Sequence, residues 1–562
     1  MAATLKPSTS RLYGALLPGA IIFLGILLTL WIQTFTRDGV VFSGDGGLKA
    51  LLAQQLSRQL AAGDLTLDMA LQLPAADWVE AVWQQGLYPF TPPFVYEVGA
   101  KHFITFPFTF PLVSAPFYAL LGDRGLYVVP LVALWSIWLR FWQIGRRAGW
   151  SMGTLCLGLV SLIFASPLSL YGGMYWEHTL AVALAFWGVS ILLFTKDSVL
   201  ANSTTASPGF SHSRLLAGGV LVGLAVWFRP EFLCLVAAIA LLSTVSWLIP
   251  RWQLSPSLSF TKVLVLIGSM AGSVGLFFVL NTSIYGHPLG IHAIQIVEES
   301  SLSTQIAQAK DGYQQMLGTL WRYFPVVIVV ALAACLSPEF KKKSGQRDPV
   351  PARFALALSI LFALSVPLIV PPGAGGKQWG PRFYLILVPL LSFVLAEQLR
   401  SCFFRIWARR VALGGAAIAL VLGIHLNTFN GAFRPFQDGQ SISLPAAYAP
   451  IEPAITELQR LPVPWIAMSH EFVAQQLWSA LPEKTFFRTE AVDDVKQLAT
   501  ALIAQNESEF LYVCYPHREC PTPESTAAEL RLESGHTLQF NDAGVYGKYP
   551  LYIVEIGREI GS

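Results

Sequence analysis

The chain has 562 residues, 54% of them hydrophobic and only 13% charged, and its mean hydropathy is +0.53. Charged residues at about half the share usual in a soluble protein exclude an ordinary soluble enzyme and point to a polytopic membrane protein. With 37 Lys and Arg against 34 Asp and Glu the net charge is +3, so the total supports no nucleic-acid partner, and the placement of basic residues matters more than their sum.

Met1 to Arg11 is short and polar, and the apolar run after it is too long, without a small-residue cleavage signal, for a cleaved signal peptide. It reads as a retained first span. Apolar windows of about 17 to 22 residues, each enough to cross a hydrocarbon core, begin near residues 14, 124, 150, 176, 213, 231, 263, 318, 352, 381 and 409. The expected fold is therefore an α-helical polytopic membrane protein with about eleven transmembrane helices. Lys6 and Arg11, Arg146 and Arg147, Lys196 and Arg214, Arg251 and Lys262, Lys341 to Lys343, and Arg400 to Arg410 all fall on one side, which makes that side the cytoplasm. An odd number of spans puts the tail opposite. The expected division is a transmembrane domain over 1–427, with a first outer loop at 34–123, and an extracytoplasmic α/β domain over 428–562.

Just beyond the first span lies Val41-Phe42-Ser43-Gly44-Asp45-Gly46-Gly47-Leu48-Lys49-Ala50. Asp45, ringed by glycines that allow a sharp turn and a close substrate, is the candidate catalytic base. The same carboxylate also suits a plain cap for the amphipathic run Leu48 to Leu60, which reads as a helix near the membrane surface. Further along, Pro92 to Phe106 reads as a short hairpin with glycine in its turn. Pro107 to Leu121 is apolar but interrupted by Pro107, Pro111 and Pro116, so it reads as a re-entrant or interfacial segment, or else a kinked span.

Past residue 428 the composition becomes that of a soluble domain, after a Gly, Pro and Ser-rich linker near 430–450. Strands are expected at Pro464 to Met468, Phe510 to Cys514 and Tyr552 to Ile556, and helices at Glu471 to Ala480 and Asp493 to Ala504. Cys156, Cys234, Cys335 and Cys402 fall in or beside apolar segments and read as packed thiols. Cys514 and Cys520 stand close together, which fits a disulfide outside the cytoplasm or, with His517, part of a zinc site short of two ligands.

Charged groups within or at the ends of spans are costly and tend to be functional. Here they gather at the expected outer ends: Glu177 and His178 in Tyr175-Trp176-Glu177-His178, Arg229 and Glu231 in Trp227-Phe228-Arg229-Pro230-Glu231, and Lys377, Arg382 and Tyr384 in Gly376-Lys377-Gln378-Trp379-Gly380-Pro381-Arg382-Phe383-Tyr384. Aromatic residues beside Arg or Lys also form ordinary interfacial belts, and Glu231 can simply pair with Arg229. The belt does not explain why carboxylate, imidazole and guanidinium crowd the outer boundaries while the inner ones carry mostly Lys and Arg. A concave polar site does. Arg229, Arg382 and Lys377 would bind a phosphate, Glu177, His178, Glu231, Lys49 and Tyr384 would contact sugar or acceptor, and apolar walls would take a lipid tail.

In the order of these features the chain resembles the multi-pass glycosyltransferases of the C superfamily (GT-C), which include protein O-mannosyltransferases and lipid A aminoarabinose transferases. Asp45 matches their acidic position in the first outer loop, Leu48 to Leu60 their first surface helix, and Gly380-Pro381-Arg382-Phe383-Tyr384 their Arg-aromatic segment opening a late span. The resemblance implies a donor sugar carried on polyprenyl phosphate and a lipid, glycan or protein acceptor on the periplasmic side of a bacterial inner membrane, with transfer inverting the anomeric carbon. Many members carry two adjacent acids in the first loop, whereas Asp45 is followed by Gly46. Glu177 is the candidate second acid. A single carboxylate is a poor divalent-cation site, so no metal or other cofactor is expected. A lipid flippase or transporter with a polar outer cavity, which would show internal repeats and midplane polar residues, is the alternative, and a non-catalytic assembly protein a third.

Overall fold

The structure is a computed structural model that describes residues 9–37, 39–64, 66–193, 211–250, 258–291, 302–336, 350–370, 378–400, 406–434, 443–516, 518, 520 and 530–558. It divides into two compact units, Met1–Ile32 with Val129–Arg434, and Gln33–Val128 with Pro435–Ser562.

The first unit is helical. Among the described residues, six helices are long and apolar enough to cross a membrane: Leu16–Phe35, Thr109–Arg147 (which begins in the second unit), Pro230–Leu248, Phe260–Tyr285, Val350–Leu368 and Arg410–Phe433. A seventh is counted if Ala309–Tyr323 and Val326–Cys335, bent by 99°, form one broken span. The bend falls at Pro325, which lacks an N–H and clashes with the preceding turn. Exposed Leu16, Leu24, Leu241, Leu264, Val279, Ile418 and Val421 present the apolar surface expected of lipid-facing helices, and the chain is an integral membrane protein.

Among the described residues, helices of crossing length number six or seven, and the expected eleven is not confirmed. The windows expected near 150, 176, 213 and 381 are helices, but Met152–Ile163 has 12 residues, His178–Leu193 has 16, His212–Phe228 has 17 and Leu387–Arg400 has 14. At 1.5 Å per residue the shortest reaches about 18 Å, against a hydrocarbon core of about 30 Å. Described irregular backbone flanks each of these helices on at least one side, which such proteins tolerate where it is buried among other helices. Trp176 and Glu177 precede one helix, Arg229 ends another in an extended conformation (φ −142°, ψ 102°), and Arg382 begins a 3-10 turn.

The second unit is built on a six-stranded sheet. β1 (Val95–Val98) and β2 (Lys101–Ile104) form the expected hairpin, with Gly99 and Ala100 both at positive φ, as a two-residue turn requires. The sheet itself contains β3 (Trp465–Met468), β4 (Thr485–Arg488), β5 (Glu509–Val513), β6 (Leu530–Arg531), β7 (His536–Tyr546) and β8 (Tyr549–Arg558), in the order β4-β3-β5-β8-β7-β6. β3 runs parallel to β4 and β5, and the remaining pairs are antiparallel. The expected strands and helices are present, but β4, β6 and β7 were not legible. β7 carries Asp542-Ala543-Gly544, which reads as a turn; the sheet absorbs it as a register shift between Asp542 and Gly544.

One face of the sheet buries Ala467, Phe487, Tyr512 and Val554 under Val495, Leu498, Ala499 and Leu502 of the Val492–Ala504 helix. The same core takes Val79, Val82 and Trp83 from the first loop, and Trp83 Nε1 donates to Phe486 O at 3.1 Å. The loop therefore folds as part of this domain. Its Gly44–Ala61 helix is buried along most of its length, and the Thr109–Leu121 helix packs against it. Cys514 and Cys520 form a disulfide, and His517 lies outside the described residues. The expected linker is helical at both ends, over His425–Phe433 and Leu444–Tyr448, and 435–442 lie outside the described residues.

Candidate functional site

Three of the helix breaks in the first unit converge on one buried cluster. Arg229 Nη1 donates to Glu177 Oε1 at 2.9 Å, and its Nε donates to Glu231 Oε1 at 2.6 Å. Glu177 and Glu231 are 1% and 6% exposed, and both pair with this guanidinium in a medium where an unpaired charge is very costly. The anticipated Arg229–Glu231 pair exists, and Glu177 extends it to a triad. His178 Nδ1 lies 4.0 Å from Glu177 Oε1, and its ring packs against those of Trp176 and Tyr171, whose centroids are 5.1 and 5.3 Å away.

Arg382 joins through aromatic faces. Its guanidinium carbon lies 4.8 Å from the Phe383 ring centroid and 5.9 Å from that of Trp176, while the Arg229 carbon lies 5.1 Å from Phe383. Two guanidinium groups thus flank one ring, an arrangement that Arg's planar, weakly hydrated head tolerates better than a Lys ammonium would. Counted together, two Arg and two Glu are neutral. Arg229 Nη2 makes no hydrogen bond among the described residues and is the triad's remaining donor edge.

Behind the cluster stands a brace that sequence reading missed. Tyr171 Oη donates to Trp379 O at 2.9 Å, Trp379 Nε1 donates to Asn427 Oδ1 at 3.1 Å, and Asn427 Nδ2 donates to Tyr323 O at 2.8 Å. A lone Asn near the end of the Arg410–Phe433 span was the available signal for Asn427. Tyr384, expected at the sugar, instead sits in the core with its hydroxyl donating to Ala363 O at 2.7 Å. Lys377 lies outside the described residues.

Asp45 and Lys49 belong to the second unit. Ser43 is extended (φ −148°, ψ 166°) and precedes the helix without a side-chain cap, so Asp45 stands in the first turn, half-buried, where the helix dipole favours a negative charge. Lys49, one turn on, is 2% exposed and holds its Nζ 4.3 Å from the Phe106 ring centroid. The glycines around Asp45 serve an unexpected neighbour. A Cβ on Gly47 would stand 1.7 Å from Gln475 O, and one on Gly44 would stand 2.2 Å from Gln475 Oε1. Two of the three glycines therefore admit a fully buried residue of the C-terminal segment, where the sequence suggested room for substrate. Trp478 Nε1 donates to Gly39 O at 2.6 Å and fastens the loop upstream. Among the described residues no group of three or more His, Cys, Asp and Glu side chains is placed to hold a metal ion.

Fold and site together define an integral membrane protein with an ion-paired polar centre built at helix breaks. No protein-family model matches the sequence, and no curated protein matches it. Among solved structures the chain is similar to ArnT from Cupriavidus metallidurans bound to undecaprenyl phosphate, at 12% identity over 95% of this chain and 97% of that one, with a TM-score of 0.47. It is similar also to the oligosaccharyltransferase AglB from Archaeoglobus fulgidus in complex with an inhibitory peptide and a dolichol-phosphate, at 10% identity over 89% of this chain and 69% of that one, with a TM-score of 0.45.

Proposed function

We propose that the chain is a GT-C-type glycosyltransferase of a bacterial inner membrane, with a cytoplasmic N-terminus and a periplasmic C-terminal domain. It moves one sugar from a polyprenyl-phosphate donor to a lipid, glycan or protein acceptor. The observation that carries this reading is the Glu177–Arg229–Glu231 triad with Arg382 beside it: part-buried guanidinium groups, one of them paired with two carboxylates, in a setting suited to a lipid-borne phosphate. The sequence resemblance supplies the rest of the assignment.

Asp45 accepts the proton of the acceptor hydroxyl as its oxygen bonds to the anomeric carbon. The bond from that carbon to the phosphate oxygen breaks, and the phosphate leaves with the electron pair, stabilised by Arg382, Lys377 and the remaining edge of Arg229. Attack opposite the leaving group inverts the centre. Glu177 and Glu231 act by fixing the Arg229 fork, and His178 and Lys49 contact sugar or acceptor.

Native mass spectrometry of the extracted protein, with undecaprenyl phosphate competing against phosphatidylglycerol, tests the donor half. Undecaprenyl phosphate is expected to be retained preferentially, and Arg382→Ala to weaken that retention by about tenfold, one charge-assisted hydrogen bond's worth. Asp45→Asn should keep the lipid and lose sugar transfer in proteoliposomes. Equal retention of both lipids, or transfer that survives Asp45→Asn in a folded protein, defeats the reading. Vesicles that move a labelled lipid without altering it would favour a transporter.

A further inference from the structure

The second unit contains a cavity of about 240 Å³ lined by Gln54, Tyr118, Asp123, Gln459, Trp478 and Ser479. These residues come from five separate places: the Gly44–Ala61 and Thr109–Leu121 helices, the turn that follows the latter, the Glu452–Arg460 helix, and the 3-10 turn Trp478–Ala480. The walls are braced. Gln54 Nε2 donates to Tyr118 Oη at 2.8 Å, and the Trp478 indole is fixed on Gly39 O. Gly39 has φ +77°, and a Cβ there would lie 2.5 Å from Ser479 Cβ and 3.3 Å from Asp123 Oδ2. The backbone thus approaches closely where the carboxylate and the hydroxyl meet.

Its chemistry differs from that of the Arg229 cluster. One carboxylate, two carboxamides, a phenol and an alcohol line it, and none of the six side chains is basic. Such a wall accepts and donates hydrogen bonds in several directions and disfavours an anion. The volume lies below the roughly 300–1,000 Å³ that holds a drug-sized ligand, which limits the occupant to about one ring. We propose that this cavity is a binding site for a single neutral polyhydroxylated ring, a monosaccharide unit, distinct from the Arg229 cluster. The proposal is independent of the transfer reading, since it concerns binding and not chemistry.

Saturation-transfer NMR on the full chain in nanodiscs, prepared without sugar detergents, tests it with methyl glucoside, methyl galactoside, methyl mannoside and methyl arabinoside, and with glucose 1-phosphate as the anionic control. At least one neutral glycoside is expected to receive saturation through its ring protons, and glucose 1-phosphate to receive much less. Gln459→Ala, at an exposed position, and Asp123→Asn should each weaken binding by about tenfold while the melting temperature stays within a few degrees. No transfer to any of the four glycosides overturns the proposal. So does transfer that both variants leave unchanged, or an anionic sugar that binds as well as the neutral ones. Loss of sugar transfer in proteoliposomes with glycoside binding intact would count against the proposed enzyme and leave this site standing.

Discussion

Glu177 and Glu471 are both nearly fully buried, at 1% and 6% exposed, yet the first unit holds its carboxylate against a guanidinium and the second holds its own against neutral donors. Glu471 accepts hydrogen bonds from Thr91 N at 2.9 Å and Thr91 Oγ1 at 3.3 Å. Burial is the largest influence on it and pushes its carboxyl from the ordinary 4.5 up to about 7, against the pull of Thr91 and the charge of Arg488. The contrast separates two uses of a buried acid. Inside the helical unit the acid is matched by a cation and serves to orient it, so the cluster stands or falls as a set. In the sheet-based unit the acid can shed its charge near neutrality, which makes the docking of the first loop on the C-terminal segment responsive to pH.

Breaking the triad is the strongest test of that contrast. Arg229→Ala removes the guanidinium paired with two buried carboxylates and is expected to cost about 3–5 kcal/mol, seen as a large fall in melting temperature; Arg229→Lys should recover only part, because an ammonium lacks the fork. A small effect would mean that the carboxylates do not depend on Arg229. Gly47→Ala comes next. Its Cβ meets the backbone oxygen of Gln475, which can yield only by shifting the segment, so a loss of about 1–3 kcal/mol is expected, read by thermal or denaturant unfolding. Unchanged stability would show that Gln475 does not occupy that space.

The third test is the pH-dependent one. With its folded-state value raised to about 7, Glu471 binds a proton more tightly in the folded chain than in the unfolded one. Its contribution is fully present below about 4.5, is lost as pH rises through about 7, and changes by at most about 1.4 kcal/mol per pH unit between. Glu471→Gln keeps an acceptor for Thr91 and removes the charge. The variant should therefore gain stability relative to the parent as pH rises from 4.5 to 7, then hold a constant difference. An identical difference in melting temperature at pH 5 and pH 8 would refute the assignment.

Much of the local structure was legible. The Leu48 to Leu60 helix, the hairpin after Pro92, the β3 and β5 strands and the apolar windows follow from periodicity, turn chemistry and hydropathy, all set within a few residues of one another. Glu177, His178, Arg229, Glu231 and Arg382 were legible as candidates for a related reason: a charge at the end of an apolar run stands out against its neighbours. The Asp45 glycines were legible as a place where backbone must be approached, though not by what.

Composition and local pattern therefore determined that the protein is a membrane-embedded helical chain with charged groups at the ends of apolar runs and a C-terminal segment of strands and helices, because hydrophobic burial and backbone hydrogen bonding act over short stretches. Only the tertiary structure decided the partners. Arg229 meets Glu177 across 52 residues, and Trp83 meets Phe486 O across 403, so the first loop joins the C-terminal sheet instead of standing apart as a connector. It also decided where irregular backbone interrupts the apolar windows, at Trp176 and Glu177, at Arg229 and at Arg382. Contacts of that separation depend on how whole elements pack, and no local pattern of residues encodes which of several buried charges will face each other.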